Sequence, residues 1–462
     1  MTQPVRPADA PTVEEERPTG GDQAEAALDA PDPLGTGEAT GAGGIGTLLR
    51  STLLRSSAAY AGSNLLNRAV PFLLLPVLTR YLSPQDVGIT AMYVAAVGLA
   101  APLVGLSTDA AIGRRYFDRD QIDFPRYVAT CLWVVAATGL VLTGVLALFA
   151  APLAPLLAIP AGWVWTIAAV AAGRYLVAVA LGMWQVRQRP GPYALFSFLL
   201  TVLGLGISVY LVVARGWGWR GRVVGEIGTQ LLFGLAGLAL LWRVGWVRGG
   251  VDRVHLRDAL KYGGGLIPHV YGGLLIATTD RLFLTHMVGV EQTGLYIVGI
   301  QIAMLIGVAQ QSFNQAWAPW LFGVLKRNEP GTLRRVHRLT RMYNVAILAA
   351  ALALAALAPW LLGFLVGPQF RGAAQFVLWL ALASAFEGMY KMVVNQIFYA
   401  GHTSWLAWIT FGTGVANVGL NWLLISINGA VGSAQATALA MLLSYLLTAR
   451  LSRRLERTLE IA

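Results

Sequence analysis

From Ala58 to Leu451 the chain alternates twelve long apolar runs with short polar connections. The runs fall at roughly 58–80, 86–108, 127–150, 162–183, 193–214, 223–244, 260–284, 292–316, 342–365, 373–397, 405–426 and 430–451. Each has about the 20 residues a helix needs to cross a hydrocarbon core about 30 Å thick. Lipid offers no partner to an unpaired backbone group, so an open chain crosses it only as helix. The pattern predicts an all-α integral membrane protein of about 12 transmembrane helices. The longest connection, from about Trp317 to Arg341, leaves no room for an extramembrane domain.

The polar residues between the runs fix an orientation. With the N-terminus inside, 25 of the 34 Lys and Arg fall in cytoplasmic segments, and only Arg80, Arg215, Arg220, Arg222 and Arg371 in outer ones. Basic residues favour the cytoplasmic side, so both termini are expected inside a cell membrane crossed many times. The trio at 215–222 is the one local violation. Trp residues such as Trp163, Trp184, Trp242, Trp317, Trp360 and Trp405 fall near span ends, as an interfacial belt requires.

Two six-span halves are suggested by a repeat at an offset of 206 residues, in which Leu82-Ser83-Pro84-Gln85-Asp86-Val87-Gly88-Ile89 matches Gly289-Val290-Glu291-Gln292-Thr293-Gly294-Leu295. Both copies run in the same direction, so the halves would be related by an axis along the membrane normal, with a cavity between them. The expected division is a tail at 1–50, six-helix bundles at 51–250 and 251–451, and a basic cytoplasmic end at 452–462. Pro71 and Pro76 in the first run and Pro268 in the seventh interrupt helix interiors, as a static kink or as a bend used in alternating access.

Composition agrees with a membrane protein, at 56% hydrophobic and only 12% charged. The net charge of +11 hides two parts: residues 1–49 hold nine acidic residues against Arg6 and Arg17, a local −7, and the remainder is +18. The tail has too few apolar residues for a core, is expected to be disordered, and does not read as a secretory signal. In a chain of spans the basic excess reflects loops facing anionic lipid, not nucleic acid. Cys131 is the only cysteine and the five His are scattered, so no disulfide, metal site or cofactor is expected.

The chemistry sits in charged positions inside the runs. Arg68 and Arg174 are central in the first and fourth, Asp280 and Arg281 lie in the outer part of the seventh, Glu387 and Lys391 in the tenth, and Glu226 near the outer end of the sixth. Charge at mid-membrane costs about 2.5–3.5 kcal/mol, so these side chains should face a bundle interior or cavity. Glu387 and Lys391 are four apart and can neutralise each other. Adjacent Asp280 and Arg281 point about 100° apart. Arg281 can also snorkel to the outer interface. Arg68 and Arg174 lack an acid on their own helices, so they either pair across helices with Glu226 or Asp280 or hold an anion such as phosphate. Asn64, one turn before Arg68, and Gln310, Gln311, Asn314 and Gln315 suit sugar hydroxyls, or helix-to-helix hydrogen bonds, as do Asn417 and Asn421. No phosphate loop, Gly-x-Ser-x-Gly or His-Glu-x-x-His motif occurs, so an enzyme is not expected.

Several stretches resemble the oligosaccharide flippases of the multidrug/oligosaccharidyl-lipid/polysaccharide exporter superfamily. They are Leu260-Lys261-Tyr262-Gly263, Leu266-Ile267-Pro268, Thr279-Asp280-Arg281 and Gly294-Leu295-Tyr296, with Arg80-Tyr81-Leu82-Ser83-Pro84, Ala400-Gly401-His402-Thr403 and Asn417 with Leu420-Asn421. The resemblance implies two six-helix bundles around a cationic cavity and translocation of undecaprenyl-pyrophosphate-linked sugar units. It also implies a diphosphate held by Arg68 and Arg174, and work alongside a polysaccharide polymerase and glycosyltransferases. The acidic tail and Gly263-Gly264-Gly265, where the family more often has proline, depart from the pattern. A cation-coupled drug exporter of the same fold and a membrane glycosyltransferase or polymerase are the competing classes. Intramembrane Arg and Lys outnumbering Asp and Glu lean against the first, and short loops against the second.

Overall fold

The computed structural model describes residues 74–327, 331–399 and 403–460, together with Gly62 and Phe72. Residues 1–50, Asn64, Arg68, Pro71 and Ala400–His402 lie outside the described residues. Among the described residues the structure is helical, without strands. The helices are α1 (Leu75–Tyr81), α2 (Pro84–Ala100), α3 (Thr108–Arg115), α4 (Phe124–Leu148), α5 (Ala150–Leu157), α6 (Thr166–Val186), α7 (Pro190–Val209) and α8 (Gly218–Arg243). They continue as α9 (Arg253–Met287), α10 (Val290–Arg327), α11 (Thr332–Leu365), α12 (Ala374–Tyr399), α13 (Thr403–Asn428) and α14 (Ala430–Glu460).

Among the described residues, nine helices are long and apolar enough to cross a membrane, and α2 with the helical stretch after it, bent by 41°, makes a tenth. These ten correspond to ten of the twelve expected runs. The seventh run is α9, whose 35 residues span about 52 Å. Its polar start (Arg253, His255, Arg257, Asp258, Lys261) and its Asp280–Arg281 pair leave it less apolar than the others. Of the first run, only its end is described, within α1.

Local chemistry sets the helix starts. Ser83 caps α2 by accepting from the Asp86 amide while the Asp86 carboxylate accepts from the Ser83 amide, a closed capping box with Pro84 in the first turn. Asp252 caps α9 through the amides of Val254 and His255. α2 ends at a break where Gly105, Leu106 and Ser107 all have positive φ (76°, 52° and 57°). Two non-glycine residues in the left-handed region are costly and persist only where neighbours fix them. Here the Gly105 amide donates to Thr138 Oγ1 at 2.9 Å, and the Thr108 hydroxyl donates to the Gly105 carbonyl at 2.7 Å.

The repeated segments pack on each other. A Cβ on Gly88 would fall within the Val290 carbonyl, and a Cβ on Gly294 within the Pro84 carbonyl. Gly88 and Gly294 differ by 206 positions, as do Pro84 and Val290, so each contact is the image of the other. That is the signature of a two-fold axis passing between α2 and α10. The symmetry stops at the α2 break, because the matching residues 307–313 run unbroken through α10.

Two large apolar cores form among the described residues. One, around Tyr93, Tyr127, Ile167 and Val223, also takes Ala259 of α9. The other, around Tyr296, Phe376, Leu362 and Ala381, also takes Leu75 of α1. The expected cut near residue 250 therefore leaves the start of α9 packed on the first half. Reporters fused after Arg126, Arg257 and Arg341 are expected to read cytoplasmic, and those after Leu157, Gly289 and Gly367 external. An external signal at Arg257 would overturn both the orientation and the span count.

Candidate functional site

In the first half, Arg174 sits near the middle of α6 and Glu226 in the first half of α8. Arg174 Nη2 donates to Glu226 Oε1 at 2.8 Å, and Gln230 Nε2 donates to the same oxygen at 3.2 Å. Gly173 and Gly234 bring the two helices together, each lying against the other helix's backbone. Of the two alternatives open for Arg174, the structure shows the cross-helix pair.

In the second half, α10 and α12 are joined by a polar ladder. Lys391 Nζ donates to Gln311 Oε1 at 2.8 Å and pairs with Glu387 Oε1 at 2.9 Å. One turn on, Asn395 Nδ2 donates to Asn314 Oδ1 at 2.8 Å and to the Lys391 carbonyl at 2.8 Å. The i, i+4 spacing read from the sequence thus gives an ion pair, and two of the expected amides join the same seam.

Asp280 is buried. Its carboxylate accepts from the Tyr296 hydroxyl at 2.8 Å and from the Arg281 amide at 2.8 Å. The network continues through neutral groups. Ser433 Oγ donates to Asn421 Oδ1 at 3.0 Å, and Asn421 Nδ2 donates to Asn417 Oδ1 at 3.2 Å. Asn421 therefore ties α13 to α14, while Asn417 braces it from one turn earlier in α13. Arg281 is not in the lining of the cavity described next, and its Nε is buried without a partner among the described residues.

A cavity of about 320 Å³ lies among α9, α10, α12 and α14. Its polar lining includes Asp280, Tyr296, Gln310, Gln311, Glu387 and Lys391, and Met304 and Met441 add apolar wall. One cation faces two carboxylates there, so this chamber is not cationic. Both carboxylates already have protein partners. Tyr296, Thr437 and Ser384 were missed as site residues because neutral hydroxyls give no charge signal, although Tyr296 lies within one of the stretches that carry the family resemblance. Among the described residues no three His, Cys, Asp or Glu side chains are grouped to hold a metal ion.

At the opposite end of the molecule from the Gly88–Gly294 crossing, a second cluster joins the first half to α9. Arg115 of α3 grips Asp258 at two points, Nη2 to Oδ1 at 2.5 Å and Nε to Oδ2 at 2.9 Å, and the Tyr127 hydroxyl donates to Oδ2 at 3.0 Å. Arg126 adds a longer contact to Asp252 at 3.6 Å. Gly263 lies against the Leu106 carbonyl, where a Cβ would collide. Of the glycine run in α9, Gly263 thus serves close approach to the α2 break, whereas nothing lies within 4 Å of a Cβ on Gly264 or Gly265.

The Arg115 guanidinium, with the Tyr127 hydroxyl, holds the Asp258 carboxyl below the usual carboxylate range. A carboxyl depressed on folding contributes stability that is complete above its unfolded value near 4 and is lost as pH falls through its folded value. Thermal melts of the wild type below about pH 4 are expected to fall more steeply than those of Asp258→Asn. Parallel curves would mean that this clasp contributes nothing.

Residues 53–324 match the protein family described as "Polysaccharide biosynthesis protein", more than half of the chain. A Haemophilus influenzae protein, "Lsg locus putative protein 1", is 25% identical over 362 residues, which cover 76% of this chain and 85% of that protein. An uncharacterized membrane protein of the same species is 24% identical over 360 residues, with the same coverage of both chains. Among solved structures, "Lipid II flippase MurJ, inward closed conformation" superposes with a TM-score of 0.67 at 12% identity, covering 86% of each chain. An inward-facing multidrug resistance MATE family transporter of the MOP superfamily gives 0.62 at 16% identity, covering 84% of this chain and 94% of that one. At such identities the superpositions speak for the fold alone.

Proposed function

Because the chain belongs to the polysaccharide biosynthesis protein family, we propose that it is a flippase for undecaprenyl-pyrophosphate-linked oligosaccharide units. It moves them from the inner to the outer leaflet of the cytoplasmic membrane by alternating access, for an O-antigen, capsule or exopolysaccharide. The observation that carries this reading is a cavity with a partly polar wall, including Gln310 and Gln311, among helices long enough to span a membrane. Such a cavity shelters a hydrophilic cargo from hydrocarbon. MurJ, which shares the fold, is a lipid II flippase.

The Gly88–Gly294 crossing closes the outer end in this reading, and the Arg115–Asp258 clasp the inner end. Asn64 and Arg68 contact the pyrophosphate, while Lys391, Gln311 and Asn314 serve the sugars and Arg281 the outer exit. Asp280, Glu387 and Glu226 set the charge balance around them. The unit arrives from membrane-bound glycosyltransferases and passes to a polymerase. A cationic-drug exporter is less well supported, since the partners held by Asp280 and Glu387 leave neither carboxylate free.

A deletion strain is expected to lose surface polysaccharide while lipid-linked repeat units accumulate in the inner leaflet. Failure to make the lipid-linked unit at all would favour an enzyme, and loss of drug tolerance alone an exporter.

A further inference from the structure

The wall of the 320 Å³ cavity includes an amide whose oxygen no group among the described residues satisfies. Gln310 of α10 is only 3% exposed, lines the cavity, and leaves its Oε1 buried without a hydrogen-bond partner among the described residues. Its stem is fixed from behind, since a Cβ on Gly388 of α12 would stand 3.0 Å from Gln310 Cβ. A buried amide left unpaired is costly, so a wall built this way is complete only when something in the cavity satisfies it.

The neighbours decide what that something is. Lys391 is held by Gln311 and Glu387, and Asp280 by Tyr296 and the Arg281 amide. Each charged group therefore already holds protein hydrogen-bond partners, and the one cation is taken up by Glu387 and Gln311, which leaves none for phosphate. What remains is a neutral amide, which both donates and accepts, in a space the size of a small ligand site. A sugar ring matches this description: neutral, rich in hydroxyls that donate and accept, with apolar C–H faces for the methionines.

We propose that this cavity is a recognition subsite for one neutral sugar residue of the cargo and that Gln310 is its specificity-determining contact. The inference deepens the flippase reading and rests on it. It assigns sugar recognition to the second half of the chain.

The test uses the full-length chain in lipid nanodiscs, titrated with single neutral monosaccharides, with inorganic pyrophosphate and with tetraphenylphosphonium, and read by the shift in melting temperature. At least one neutral sugar is expected to bind in the millimolar range. Gln310→Leu should weaken it about tenfold, the value of one hydrogen bond. The ligand-free Gln310→Leu protein should melt no lower than wild type, because an unsatisfied buried amide has been removed. Gly388→Ala, which displaces the Gln310 stem, should weaken the same sugar.

Binding of no neutral sugar, or equal binding by wild type and Gln310→Leu, would overturn the proposal. So would a result in which pyrophosphate or the cation is the ligand that Gln310→Leu weakens. These outcomes are independent of the deletion strain, whose accumulated lipid-linked units speak to the flippase reading alone.

Discussion

Gly294→Val is expected to abolish polysaccharide export, and Gly88→Val to do the same. At both positions even a Cβ would fall within a carbonyl of the facing helix, which is backbone and cannot rotate away. The helices must separate or the variant must misfold. Overpacking of this kind costs about 1–3 kcal/mol even where side chains can yield, and here backbone meets backbone. Because the contacts are images of each other, the two variants should fail to a similar degree. Gly144→Ala, where nothing lies within 4 Å of the added carbon, is the control and should export normally. Export is measured beside the amount of protein in the membrane, and wild-type export by either valine variant would refute the close crossing of α2 and α10.

The second large effect concerns the pair in the first half. Arg174→Ala is expected to destabilise the protein by about 2 kcal/mol, because it strands Glu226 in the bundle. That is less than the roughly 3–5 kcal/mol of a fully buried pair, since about a third of the Arg174 side chain is exposed. Gln230 would still donate to Glu226 but cannot supply a charge. Arg174→Leu combined with Glu226→Leu should restore both protein level and export, as replacing a buried pair by apolar residues often does. A double variant that is well folded yet inactive would show instead that Arg174 touches the cargo.

Arg174 also shows where sequence reasoning stops. Its position in a membrane-spanning helix follows from twenty apolar neighbours, a local property that survives any packing. Its partner lies 52 positions away on another helix, and the sequence offers both Glu226 and Asp280. Only the close approach at Gly173 and Gly234 selects between them. Glu387 and Lys391 were legible because one helix carries both. Tyr296, Ser433 and Thr437 were not, since a hydroxyl carries no charge and stands out little in an apolar run. The helix lengths illustrate a different limit. The apolar runs end near 316 and begin again near 342, whereas α10 continues to Arg327 and α11 starts at Thr332. Beyond the expected spans the two helices are held by a small core of Trp317, Leu321, Val324 and Val336 joined by Met392 of α12. That core depends on neighbouring helices and is invisible to a window of apolar residues.

The Arg115–Asp258 clasp bears on how the protein is made. The two residues are 143 positions apart, and Tyr127 lies 131 positions before Asp258. At about 5–20 residues per second, Arg115 waits roughly 7–30 s at the membrane surface before its partner is synthesised. During that interval the first half lacks this clasp, because α9 supplies its acid. A chain split near residue 250 and expressed as two pieces would leave the first piece with this cluster open. A split at Gly289 would let the first piece carry α9, and with it the clasp, to completion. The clasp is thus a late event in biogenesis, set by the order in which the helices leave the ribosome.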